Sequence, residues 1–235
     1  SGTTFSQGGI LYTVQKRRLG RTNRWVFPLW VRGTLPKAEP TDAQMSAFFE
    51  QLLSLGVEVL DITPSHGFWG RYPREFQLPV QVAIVAPETL LAYAPDSTRA
   101  ARAVQAHLIE TLCAIGREQC DYYFLNFAYL PSEALLSGAL EALELARQEG
   151  HIGAIGLAAY GDPLRILALW HTHDAFEVAL LPNRPETLQV LLPEARARRV
   201  GTVADCTHLT MPNPLSLLDH LGTDALLMAG TILTA

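Results

Sequence analysis

Lysine is nearly missing from this chain of 235 residues: the only two are Lys16 and Lys37, and none occurs from Ala38 to Ala235. A site assembled from that long stretch therefore works without an ammonium side chain. Cysteine is scarce too. Cys113, Cys120 and Cys206 cannot all pair and none stands in a CxxC, so a reducing cytoplasm is the simplest expectation. No apolar run reaches about 18 uncharged residues, and no transmembrane segment is expected. The stretch Ser1 to Gly9 lacks the charged-then-apolar layout of a signal peptide. A basic stripe is absent, and 23 acidic against 18 basic residues leave a net charge of −5, which argues against nucleic acid as a partner. There is no linker, repeat or low-complexity tract.

What is present is an alternation. Hydrophobic residues make up 49% of the chain, too many for a disordered one. Short apolar runs, nearly continuous in Val, Ile and Leu, fall at Val26–Val31, Val57–Ile62, Val80–Val85, Tyr122–Asn126, Ile152–Leu157, Phe176–Leu181, Val200–Ala204 and Ala225–Ala229. They read as strands buried on both faces. Longer amphipathic stretches lie between them: Thr41–Leu55, Ser97–Ile115, Ser132–Gln148, Pro163–Trp170, Glu186–Arg198 and Pro214–Leu221. Asp96 is a candidate N-cap, and Gly56, Gly116 and Gly150 are candidate helix stops. The stretch Phe68–Pro73 reads as loop. About eight βα units imply an α/β protein with a single closed (β/α)8 TIM barrel. Residues 1–25 form a preceding segment, with a hairpin through Arg17-Arg18-Leu19 and Arg24-Trp25-Val26 expected to plug the bottom of the barrel, and residues 26–235 form the barrel.

Several motifs resemble those of the aldo-keto reductases. Arg18-Leu19-Gly20-Arg21-Thr22 resembles the opening R-x-LGRTG of that family, and Leu55 to Asp61 resembles its LGINFFD. The stretch Ala142 through Gly156 is similar to E-x-L-V-x-x-G-K-I-R-A-I-G-V, while Glu110-Thr111-Leu112 and Cys120-Asp121-Tyr122 fit the family's helix and fourth strand. The resemblance runs from about Arg18 to about Ala229. It implies NADPH-dependent carbonyl reduction by an Asp, Tyr, Lys and His at the C-terminal mouth of the barrel. Only the Asp is matched, by Asp61. His66 stands at the Tyr position, Pro87 replaces the Lys, and the His falls on Tyr129, or on Asn126 if the register slips.

The cofactor positions depart from the family in the same way. Ala158 and Ala159 replace the Ser-Asn pair that holds the carboxamide, Leu180 replaces a Gln, and Asp205 replaces the Tyr that stacks on nicotinamide. Trp30 and Arg32 replace small residues at the end of the first strand, and the family's last loop and helix are missing. Hydride transfer needs both a bound cofactor and a matched proton donor, so a pseudoenzyme with no cofactor is expected. Its expected role is a binding or structural subunit of a protein assembly, with a protein partner or a second copy on the flank left open by the missing helix. That flank should expose Leu226 and Met228. A small ligand in the mouth is a further possibility. The alternatives are an NADPH-dependent reductase or a repurposed enzyme using an Asp61–His66 acid–base pair. No metal is expected. Asp205, Cys206 and His208 are weak ligand candidates, and Cys206 reads more simply as a small core residue. Arg196, Arg198 and Arg199 read as a solvated helix end.

Overall fold

The computed structural model describes residues 3–7, 10–210 and 213–230, with side chains from Val14 onward. Two antiparallel pairs come first. Strands β1 (Thr3–Gln7) and β2 (Ile10–Val14) pair with each other, and β3 (Arg17–Arg18) pairs with β4 (Trp25–Val26). Eight parallel strands follow: β5 (Leu29–Gly33), β6 (Val59–Asp61), β7 (Gln81–Val85), β8 (Cys120–Asn126), β9 (Ile152–Ala158), β10 (Val178–Pro182), β11 (Gly201–Asp205) and β12 (Ala225–Gly230). They lie side by side in chain order, and β12 pairs back onto β5, so the sheet closes into a barrel. Around it run α1 (Asp42–Ser54), α2 (His66–Trp69), α3 (Arg71–Glu75), α4 (Ser97–Ile115), α5 (Glu133–Gln148), α6 (Pro163–Thr172), α7 (Pro185–Ala197) and the short α8 (Leu217–Leu221).

Local chemistry sets the helix ends. The Asp96 carboxylate accepts from the Arg99 amide at 2.8 Å and starts α4, and Gly116 ends it in the left-handed region at φ 62°. Thr41 and Gln44 form a reciprocal capping box at α1. No described helix is long and apolar enough to cross a membrane.

Two apolar layers result. The outer one lies between strands and helices. The inner one fills the barrel with Trp30, Val59, Tyr122, Phe124, Val178, Leu180, Val203 and Leu227 among others. Leu19 and Val26, both fully buried, belong to this inner layer, so the β3–β4 hairpin does plug the barrel at the N-terminal ends of the strands. Arg24 of the same hairpin pairs with Asp121 at 3.4 Å, at the start of β8.

Three local expectations are corrected. The first barrel strand is Leu29–Gly33 rather than Val26–Val31, because Val26 pairs antiparallel with Arg17 and Pro28, with no amide hydrogen, separates the two strands. The stretch Phe68–Pro73 is not loop but parts of α2 and α3. Ser65 caps α2 by accepting from the Phe68 amide at 3.1 Å, Trp69 and Tyr72 are buried, and Pro73 sits in a first helical turn, where no amide donor is needed. Leu226 and Met228 are not exposed: they are 0% and 8% accessible. They lie in the outer layer with Met45 and Phe49 of α1, and Leu215, Leu217 and Leu218 pack against the same cluster. Among the described residues no helix follows β12.

Candidate functional site

Strand β5 aims alternate side chains into the barrel, so Trp30 and Arg32 share its inner face. Trp30 is buried, with its ring centroid 4.6 Å from that of Tyr122. Two residues nearer the C-terminal end, Arg32 fills the mouth. Its Nε donates to Asp61 Oδ2 at 2.9 Å, on the neighbouring strand β6. Its Nη1 reaches Asp205 Oδ2 at 3.4 Å, on β11, and its Nη2 reaches the Tyr160 hydroxyl at 3.2 Å. The Tyr160 hydroxyl in turn donates to Asp205 Oδ2 at 2.6 Å.

Both carboxylates are held from behind by the same local motif. In Asp61-Ile62-Thr63 the Asp61 Oδ1 accepts from the Thr63 amide at 2.8 Å and from its hydroxyl. In Asp205-Cys206-Thr207 the Asp205 Oδ1 accepts from the Thr207 amide at 3.0 Å and its hydroxyl at 2.7 Å. Thr63 Oγ1 also accepts from the Val85 amide at 2.9 Å, which ties the β6 end to β7. One cation, two carboxylates, two threonines and a phenol thus satisfy one another.

The electrostatics follow from that closure. Burial opposes the Arg32 charge, but Asp61, Tyr160 and Asp205 outweigh it and hold the guanidinium above its ordinary pKa. Burial pushes Asp205 up, yet the Arg32 charge and the hydrogen bonds from Tyr160 and Thr207 bring it below the usual carboxylate range. Burial lifts the Tyr160 phenol well above its ordinary value. A general acid works best with a pKa near the operating pH, and a phenol bound to a carboxylate is far from that. The arrangement is built to hold charge in place.

The structure scatters the other sequence-predicted residues. No hydrogen bond joins His66 to Asp61. The His66 ring faces His107 of α4 with centroids 5.9 Å apart, and His107 Nδ1 lies 2.8 Å from the Tyr123 hydroxyl. Burial, then the neighbouring His66, lowers the His107 pKa. Pro87, Asn126 and Tyr129 do meet, in a cleft of about 360 Å³ between the loops after β7 and β8, alongside Leu90, Leu91 and Leu130. Asn126 Oδ1 is taken by the Ala128 amide at 2.9 Å, and Tyr129 is exposed. Cys206 is buried, its thiol pushed up to about 11 first by burial and then by Asp205, whereas His208 is exposed. Among the described residues no three His, Cys, Asp or Glu side chains gather as a metal site.

Tyr160 escaped the sequence reading, and Arg32 entered it only as bulk. The two Asp-x-Thr triplets at strand ends were the available signal, since each marks a carboxylate locked by its own loop.

Neither a family model nor a curated protein matches the sequence. Solved structures do match the fold. A Pseudomonas aeruginosa protein provisionally named an aldo-keto reductase is 18% identical, with a TM-score of 0.72 over 93% of this chain and 90% of its own. The fold is that of the aldo-keto reductases. The holo form of aldo-keto reductase AKR11C1 from Bacillus halodurans is 17% identical, with a TM-score of 0.66 over 93% of this chain and 86% of that one. The aldose reductase of Schistosoma japonicum is 13% identical, with a TM-score of 0.63 over 92% and 83% of the two chains.

A nicotinamide does not fit the residues present on this version of the fold. Of the positions that the resemblance assigns to the cofactor, Ala158 and Ala159 at the carboxamide and Leu180 in place of a Gln are buried and carry no polar side-chain atom. Asp205, at the stacking position, is occupied by Arg32 and Tyr160, and Trp30 and Arg32 take the volume below and within the mouth.

Proposed function

We propose that this chain is an aldo-keto-reductase-fold protein that carries out no carbonyl reduction and acts by binding, as a non-catalytic component of a protein assembly. The observation that carries this reading is Arg32. It ion-pairs with Asp61, the one matched tetrad residue, and with Asp205, and so fills the space where a reacting carbonyl and hydride would meet. Fold alone does not specify chemistry, and of the groups the resemblance assigns to it Asp61 is locked in hydrogen bonds, Pro87, Ala158, Ala159 and Leu180 carry no polar side-chain atom, and His66 and Tyr129 stand apart from Asp61. No cofactor is part of the proposal. The partner, a second copy or another protein, is placed on the β12–β5 flank. That placement draws support from a surface cleft of about 370 Å³ bordered by Val14, Lys16, Arg17, Pro28, Leu215 and Leu218. Free thiols at Cys113, Cys120 and Cys206 support a reducing compartment, the cytoplasm.

A second reading, a small apolar ligand, is favoured by the leucine-lined cleft beside Pro87 and Tyr129. The deciding experiment titrates NADPH into the purified chain by calorimetry and fluorescence, with the oligomeric state of the same sample measured by light scattering. A defined oligomer and no nucleotide binding up to millimolar NADPH are expected. Saturable one-to-one binding at micromolar NADPH would overturn the reading and return the chain to the reductases.

A further inference from the structure

The opposite end of the barrel holds a second concentration of charge. A cleft of about 350 Å³ opens between the β3–β4 hairpin and the N-terminal ends of β11 and β12. Four arginines line it, Arg18, Arg21, Arg196 and Arg199, against the single carboxylate of Asp224. Arg21 has its own partners. It ion-pairs with Asp174 at 3.1 Å and donates to the Phe176 carbonyl at 3.0 Å. The other three have no carboxylate in ion-pair range among the described residues. Arg18 reaches Asn23 Oδ1 at 3.3 Å, Arg196 reaches the Gly222 carbonyl at 3.2 Å, and Arg199 makes no side-chain hydrogen bond among the described residues. Asp224 is engaged locally, because its Oδ2 accepts from the Thr202 amide at 2.9 Å and hydroxyl at 3.3 Å.

Fold stability does not account for this convergence. Arg199 sits at φ 54°, just after α7, where helices commonly place a glycine and other residues carry a cost of about 1 kcal/mol. Strain held at a charged, unpaired side chain points to a use for that side chain. The helix dipole favours Arg196 in the last turn of α7, but Arg18 arrives from a different element. What brings the two elements together is Gly20, at φ 51°. A Cβ there would lie 2.2 Å from the Gly201 amide nitrogen and 2.6 Å from the Arg199 carbonyl oxygen. Without that Cβ the hairpin turn presses against residues 199–201.

We infer that this cleft binds a small, multiply charged phosphoryl compound, free or esterified, through Arg18, Arg196 and Arg199. The guanidinium fork matches the geometry of phosphate oxygens, and three such forks with no carboxylate in ion-pair range among the described residues, set against the one charge of Asp224, which Arg196 feels through space, leave an excess of positive charge for a multivalent anion, on a chain whose net charge is −5. A volume of about 350 Å³ suits a pyrophosphate or a short phosphate ester rather than a macromolecule. The cleft and the mouth lie at opposite ends of the barrel, and Arg18→Ala keeps the two readings apart: NADPH binding that this variant abolishes belongs to the cleft, and NADPH binding that it leaves intact belongs to the mouth.

The test titrates inorganic pyrophosphate and, separately, glycerol 3-phosphate into the full chain by calorimetry at low and physiological ionic strength. Saturable one-site binding is expected for at least one probe, and the tighter of the two identifies a free or an esterified phosphoryl group. Arg199→Gly is the informative variant, since glycine suits the backbone there. Its Tm should hold or rise while affinity falls at least about tenfold, the loss of one charged hydrogen-bond donor. Arg18→Ala should weaken binding similarly, and Arg165→Ala on α6 should leave it unchanged. The inference is overturned if neither probe saturates by millimolar concentration. It is equally overturned if Arg199→Gly and Arg18→Ala both bind as the parent does, or if Arg165→Ala weakens binding as much as they do.

Discussion

Replacing Arg32 by alanine removes the only cation among the described residues that meets both Asp61 and Asp205. The side chains concerned are 17%, 2% and 8% accessible, so in the parent chain the guanidinium rather than solvent compensates the two carboxylates. Removing one partner of a buried ion pair costs about 3–5 kcal/mol, mostly because the remaining charge is left without compensation. For a domain of this size that corresponds to a Tm drop of roughly 6–20 °C.

The pH dependence separates this cause from a simple cavity. In the parent chain Asp205 titrates below its ordinary value, so its contribution to stability is present above the unfolded carboxylate pKa and is lost as pH falls through the folded one. Without Arg32, burial dominates and the Asp205 pKa rises above the unfolded value. Stability of the variant is then highest in acid and is lost as pH rises through that raised pKa. The Tm gap between parent and Arg32→Ala should therefore be smaller at mildly acidic pH than at neutral pH, read by circular dichroism on both proteins. Arg32→Lys should recover part of the loss, because the charge returns without the fork. A gap that does not depend on pH, or a loss below about 1 kcal/mol, would show that the network does not hold the mouth together.

Three further outcomes are expected. Gly33→Ala places a methyl 2.2 Å from Trp69 Cε2, against a fully buried ring, and should lower stability by about 1–3 kcal/mol in urea unfolding. Asp96→Ala removes the carboxylate that caps α4 and should cost about 1 kcal/mol by the same measurement. A thiol-reactive dye should label Cys113 alone in the native chain and all three cysteines after denaturation. Cys113 is exposed, while Cys120 and Cys206 are buried with thiols pushed above their ordinary range chiefly by burial. Rapid native labelling of Cys206 would contradict its place behind the mouth.

The sequence by itself determined the elements whose causes are local. The bounds of α4, Ser97 to Ile115, follow from the Asp96 cap, an amphipathic period and Gly116, all within one stretch of chain. The eight strands follow likewise from short runs of Val, Ile and Leu that can only be buried on both faces. That Pro87, Ala158, Ala159 and Leu180 bring no polar side-chain atom to the positions the resemblance assigns to reductase groups was also legible, since an absent side-chain atom needs no geometry to be noticed. Tertiary structure alone decided which side chains meet. Arg32 lies 173 residues from Asp205 and 128 from Tyr160, and only closure of the barrel brings them within hydrogen-bond range. His66 is close to Asp61 in sequence, yet the turn into α2 carries its ring to His107 instead. Arg18 meets Arg196 and Arg199 only because a hairpin without a Cβ at Gly20 closes on the start of β11. Periodicity and caps act over a few residues, whereas charge pairing acts through space, and the fold decides which distant charges share that space.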